Sequence, residues 1–196
     1  MTPAQPGTAM GHYLLDKSAS RFTVRAFATG VLSALGHSPT IAIRDFTGEA
    51  SFDPDDLVTS SLRIEIRADS LEVTDDVSSK DRQEMESLMK EKVLESSKYP
   101  AIVFESAATS ADQLGEGRYR VTMGGKLSLH GVTRSLPVMA QVTVQVTVNG
   151  SMLRASGEFS ILQSDYEIPP ISVAGGALKL KDELKFAFDI VARRQD

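Results

Sequence analysis

The stretch Tyr119-Arg-Val-Thr-Met-Gly-Gly-Lys-Leu-Ser-Leu129 sends Tyr119, Val121, Met123, Gly125, Leu127 and Leu129 to one face, with Arg120, Thr122, Lys126 and Ser128 on the other. A period of two is that of a half-buried strand. The alternation continues downstream through Leu136, Val138, Ala140, Val142, Val144, Val146 and Val148. Asn149-Gly150 then offers a type I′ hairpin turn, because both residues tolerate positive φ. The return strand carries Leu153, Ala155, Gly157, Phe159 and Ile161, and the last strand Leu184, Phe186, Phe188, Ile190 and Ala192. Upstream, Leu62, Ile64 and Ile66 alternate with Arg63, Glu65 and Arg67, while Phe22, Val24 and Ala26 alternate with Arg21, Thr23 and Arg25. Ile102 and Phe104 point inward from a further strand. Between Thr40 and Phe52 the apolar set moves from odd (Ile41, Ile43) to even positions (Phe46, Gly48, Ala50, Phe52), which predicts a bulge near Arg44-Asp45.

Eight strands of this kind close most naturally into an antiparallel barrel, which removes exposed edges. At that strand number the interior is either filled by side chains or holds one small ligand, and the pattern permits both. One segment departs from it. From Lys80 to Ser96, Met85, Leu88, Met89 and Val93 fall at helical spacing beside a charged face. Asp81-Arg82-Gln83-Glu84 resembles a capping box, Tyr99-Pro100 ends the segment, and Arg82–Glu86 and Glu86–Lys90 are i,i+4 pairs. A shorter helical turn is expected over Gly30 to Leu35. No repeat or linker divides the chain, so one domain is expected from residue 13 to 196, after a disordered small-residue tail over 1–12.

The chain has 196 residues and a net charge of −5, with 41% hydrophobic residues and no cysteine. The missing cysteines exclude disulfides, thiolate chemistry and Cys-ligated metals. The acidic balance argues against a general nucleic-acid binder, and no run approaches the roughly 18 apolar residues of a membrane span. Residues 1–11 carry neither a basic n-region nor an apolar h-region, so a cytoplasmic protein is expected, or a periplasmic or secreted one whose signal has been trimmed.

Catalytic signatures are missing. The three histidines, His12, His37 and His130, form no HxH, HExxH or Hx₃H arrangement. There is no GxSxG elbow, and neither Gly124-Gly125-Lys126 nor Gly115-Glu116-Gly117 completes a phosphate-binding loop. The expectation is a protein without catalytic residues, metal or cofactor. His37 reads as a cap or a ligand-facing donor, and His130 as a side chain tying its turn or facing a ligand. The stretch Ser164 to Gly176 is a long loop whose apolar Tyr166, Ile168, Ile171 and Val173 suit a lid or packing under the barrel end.

Three elements together carry a family resemblance: Tyr99-Pro-Ala-Ile-Val-Phe-Glu-Ser106, Gly125-Lys-Leu-Ser-Leu-His-Gly-Val-Thr133 and Lys181-Asp-Glu-Leu-Lys-Phe186. With Tyr13-Leu-Leu-Asp-Lys-Ser18 and Phe46-Thr-Gly48, they resemble the YceI-like family in content, order and spacing over about Tyr13 to Ala192. The resemblance implies a lipocalin-like eight-stranded barrel with a small helical part and an elongated apolar pocket. It also implies a bacterial, often periplasmic and often homodimeric binder of polyisoprenoids or other long-chain amphiphiles, with stress response or isoprenoid metabolism as the setting. An isoprenoid, quinone or fatty-acid-like molecule would be the ligand. The family commonly has an arginine before its Ser-Asp-aromatic element and a glycine after it; this chain has Gln163-Ser-Asp-Tyr166 followed by Glu167.

Strand phase nominates the walls of such a pocket: Phe22, Val24, Ile43, Phe46, Ile64, Ile66, Phe104, Val121, Met123, Phe159 and Phe186, with Met85, Leu88 and Met89 from the helix. Loop position nominates His37, His130 and Tyr166 for its mouth. The competing readings are an enzyme acting on a lipid-like substrate through a histidine, and a filled barrel used as a protein-interaction module.

Overall fold

The computed structural model describes residues 10–29, 38–53, 56–147, 150–173 and 178–195. Residues 1–9 of the expected tail, the expected turn over Gly30 to Leu35, His37 and Asn149 lie outside them. The strands are β1 (Gly11–Leu15), β2 (Arg21–Thr29), β3 (Thr40–Ile43), β4 (Phe46–Phe52), β5 (Ser61–Arg67) and β6 (Leu71–Val73). After helix α1 (Ser79–Leu88) come β7 (Ala101–Gly115), β8 (Arg118–Leu129), β9 (Val132–Thr147), β10 (Gly150–Leu162), β11 (Ser172–Val173) and β12 (Leu178–Arg194). Eight of them close an antiparallel ring in the order β1-β4-β5-β7-β8-β9-β10-β12, with β12 returning to β1. The expected barrel is therefore present, mostly strand with one helical segment.

The ring does not close along its whole length. The seventeen-residue β12 pairs with β1 only through Ala192, Arg193 and Arg194. From Asp189 back to Lys179 it pairs instead with β2, which leads to β3 and then to β6. At this end a three-stranded flap splays away from the barrel. The fork lies at Val191, where backbone partners must be exchanged without leaving a polar group bare. Ser20, itself buried, does this: Val191 N–H donates to its Oγ (2.9 Å), and its hydroxyl donates to the Val191 carbonyl (3.2 Å). Asp16 N–H donates to the same carbonyl at 2.7 Å.

The fork corrects the reading of Thr40 to Phe52. Ile41 and Ile43 belong to β3 in the flap, and Phe46 to Phe52 belong to β4 in the ring. The phase change at Arg44-Asp45 is a change of sheet partner rather than a bulge. True register shifts lie elsewhere, between β7 and β8 at Ala108/Ser110 and at Gln113/Gly115, and in β12 between Leu180 and Leu184. The chain also enters β1 at Gly11, so Gly11 and His12 are strand rather than tail.

Helix α1 covers the gap that the flap leaves. Its cap is Ser78, whose Oγ accepts from Asp81 N–H at 3.1 Å; the cap thus sits three residues earlier than the expected Asp81. A single π turn, Met89–Val93, continues it. The expected Arg82–Glu86 and Glu86–Lys90 pairs do not form. Arg82 donates to the carbonyls of Val73 and Asp75, and Glu86 accepts from Val73 N–H at 2.9 Å. These side chains complete the free edge of β6 and so hold the helix to the flap. The i,i+4 ion pair is Lys80–Glu84.

Candidate functional site

The interior is divided along the barrel axis. At the end closed by β1, Tyr13, Phe52, Ala108, Tyr119, Val121, Leu153 and Ala192 form one buried cluster, with Phe52 edge-on to Tyr119 at 5.5 Å. At the splayed end lies a cavity of about 450 Å³, within the roughly 300–1,000 Å³ of small-molecule pockets. Its walls come from every element around the split: Phe22 and Val24 of β2, Ile43 of β3, Ile64 and Ile66 of β5, Phe104 of β7, Met123 of β8, Phe159 of β10 and Phe186 of β12. Met85, Leu88 and Met89 of the helical segment face it from outside the ring. Those are twelve of the residues nominated from sequence.

Two inward glycines let the aromatic walls fold flat. A Cβ at Gly157 would stand 2.7 Å from the Phe188 ring, and one at Gly125 would stand 2.4 Å from Phe104. Phe159 and Phe186, directly opposite each other in register, stack at 4.9 Å and 5°.

Four nominated residues are placed elsewhere. Phe46 stands behind the wall, edge-on to Phe22 at 4.8 Å. Val121 has the correct face but lies in the filled cluster. His130 and Tyr166 are not in the cavity lining. With Gly131, His130 forms the two-residue β8–β9 turn, both at positive φ (53° and 78°), which is type I′ geometry. Its Nε2 lies 2.7 Å from Glu95 Oε2, its Nδ1 lies 3.3 Å from the Tyr166 carbonyl, and its ring packs on Tyr99 at 4.6 Å. The ring ties three chain segments together, which is the structural role weighed for it. Tyr166 is buried, and that burial pushes its hydroxyl pKa up, with Asp165 adding to the shift. His12, at the filled end, lies beside Ser51.

The cavity also uses residues that strand phase passed over: Leu71 and Val73 of the short β6, and Ile168 and Ile171 of the loop after β10. The apolar content of that loop signalled the latter pair. Gln163 is the polar side chain that enters most deeply, at 2% exposure. Its Nε2 donates to the carbonyls of Lys181 (2.9 Å) and Asp182 (3.4 Å). That fixes the amide orientation and leaves Oε1 as an acceptor without a donor among the described residues. Asp75, Asp81 and Lys179 complete the polar part of the lining, and the exposure of Asp81 and Lys179 marks the mouth. Asp75 accepts from Thr40 N–H at 2.7 Å.

Among the described residues no group of three or more His, Asp or Glu side chains could hold a metal ion, and no helix is long and apolar enough to cross a membrane. The arrangement can enclose an apolar body and offer it one deep hydrogen-bond acceptor.

A search of the curated proteins finds no match. Among solved structures, the chain is similar to Burkholderia cenocepacia BcnA, with TM-score 0.64 at 19% identity over 90% of this chain and 98% of that one. It is similar to a polyisoprenoid binding domain from Saccharophagus degradans implicated in plant cell wall breakdown, with TM-score 0.66 at 11% identity over 95% and 99%. It is similar also to the YceI protein of Campylobacter jejuni, with TM-score 0.58 at 16% identity over 80% and 85%. At these identities the likeness is one of fold. The YceI-like domain pattern, by contrast, matches residues 13–192, and the chain therefore belongs to the YceI-like family.

Proposed function

We propose that this protein binds and carries a long-chain amphiphile, of isoprenoid, quinone or fatty-acyl type, in the cavity at the splayed end of the barrel, without transforming it. The observation that carries the reading is the lining: side chains of Phe, Ile, Leu, Val and Met from ring, flap and helix converge on one space. Burying each methylene there contributes about 0.8 kcal/mol, so an apolar chain needs few polar contacts to be held. The polyisoprenoid-binding domain of similar fold supports the same class of ligand. An enzyme reading finds less support: His130 has both ring nitrogens engaged in holding its turn and stands outside the lining.

Native mass spectrometry of untreated protein tests this directly. The expected result is a mass adduct that organic extraction releases; the same spectrum reports the homodimer that family resemblance suggests. Repeated adduct-free spectra from native-host material, together with no uptake of farnesol, ubiquinone or palmitate by the extracted protein, would sink the proposal. Gln163→Leu is expected to raise affinity for a plain alkane chain and lower it for a chain bearing a hydroxyl, since only the latter can donate to Oε1.

A further inference from the structure

On the outer face of the strand pair β2–β12, Arg25 and Lys185 stand directly opposite each other. Their cationic groups lie 5.7 and 5.8 Å from the centre of the Phe27 ring, and Lys181 Nζ lies 5.9 Å from it. Lys179, opposite Thr29 beyond the irregularity in β12, stands at the rim where this face meets the mouth of the cavity. All four cations are exposed. Like charges directly opposite in an antiparallel pair destabilise it, although a shared aromatic face recovers part of that.

Some cations of this chain are paired, among them Arg44 with Glu72, Arg63 with Glu105, Arg154 with Asp189 and Arg193 with Asp16. None of the four patch cations makes an ion pair among the described residues. Of the neighbouring carboxylates, Asp182 is bound by Ser164 through both N–H and hydroxyl; Glu183, opposite Leu162, shares the patch face, where the four cations outnumber it. Leu162, 44% exposed on β10, adds a second apolar side chain across β12 from β2.

The geometry points to a docking surface for the anionic headgroup layer of a lipid membrane. Charge complementarity calls for an anionic partner. The half-buried Phe27 at the centre, with Leu162 across β12, suits the headgroup–acyl boundary, where an apolar side chain ringed by cations gains from both phases. The patch backs the cavity: Val24, Ala26, Leu184 and Phe186 line it from the opposite face of the same two strands. Docking there would bring the wall of the cavity against the lipid surface. The inference stands apart from the carrier reading, because the patch exists whether or not the cavity is occupied.

The test is cosedimentation of the purified protein with vesicles of phosphatidylcholine alone and of phosphatidylcholine mixed with phosphatidylglycerol. Binding is expected only to the anionic vesicles, and to fade at high salt as screening shortens the reach of the charges. R25Q/K185Q should weaken partitioning roughly fivefold for each cation removed. F27S should weaken it further at every salt concentration, while R118Q/R120Q at the far end should leave it unchanged. Equal binding to neutral vesicles, no binding to anionic ones at low salt, or an unaffected R25Q/K185Q would each overturn the inference. So would retention on a heparin column without vesicle binding. The melting temperature of R25Q/K185Q is expected to hold or rise; a fall would mean that the pair serves the fold, and would also overturn it.

Discussion

At one end of the barrel Phe52 meets Tyr119 edge-to-face, inside a cluster that includes Tyr13, Val121 and Leu153. At the other, Phe159 and Phe186 stack along a wall that borders open space. Both ends are made from the same alternating strands, so alternation does not set them apart. The difference is the partner of β12. Where β12 meets β1, the ring closes at full hydrogen-bonding distance and side chains fill it, as an eight-stranded barrel allows. Where β12 meets β2 instead, the flap carries the wall outward and helix α1 spans the remaining gap. A cavity is thus obtained by opening one seam, with no need for more strands.

The sharpest way to break this comparison is to truncate one aromatic at each end. Phe52→Ala is expected to cost about 3–5 kcal/mol, the usual loss for a filled core. Phe186→Ala should cost less than about 2 kcal/mol, because a ring bordering a cavity has already forfeited contacts on that side. Chemical denaturation of ligand-depleted protein measures both. Equal losses would mean that the splayed end collapses in solution.

Adding volume should reverse the asymmetry. Ala108→Leu overpacks the filled cluster and is expected to cost roughly 1–3 kcal/mol, whereas Leu184→Trp has space to enter. Its effect should appear in binding: an amphiphile at a hundredfold excess over its Kd stabilises the wild type by about 2.7 kcal/mol, and Leu184→Trp should lose most of that thermal shift. A full shift in the variant would place the ligand elsewhere.

Most of the ring was legible in the sequence because a period of two reports which face a residue occupies. It does not report depth along the barrel axis. Val121 and Met123 share a face and a strand, yet the former packs in the filled cluster and the latter lines the cavity. Nor does phase report the partner, which is why the shift between Ile43 and Phe46 reads as a bulge when it marks the crossing from flap to ring. Leu71-Glu-Val73 is too short to show a period at all, and its strand is held by β3 on one edge and by Arg82 and Glu86 on the other. The loop residues Ile168 and Ile171 were readable, since exposed loops have no need of them. The orientation of Gln163 was not, because the backbone carbonyls that fix its amide belong to β12.

The fork itself supplies two smaller effects. Ser20→Ala leaves the buried Val191 N–H without an acceptor and is expected to cost roughly 1–3 kcal/mol, with β2 losing hydrogen-exchange protection before β10. Asp16, on the same seam, receives the Ser18 hydroxyl at 2.6 Å and Arg193 Nε at 2.7 Å. Those bonds, Ser18 first, hold its carboxyl down to about 2. The folded value lies below that of an unfolded aspartate, near 3.9. Its contribution is therefore complete above about pH 5 and lost as pH falls toward the folded value near 2. Asp16→Asn should cost about 1 kcal/mol at neutral pH, and its stability should converge on that of the wild type only as pH falls to about 2 and below. Parallel curves that never converge would show that the seam is held by shape at Asp16 rather than by its charge.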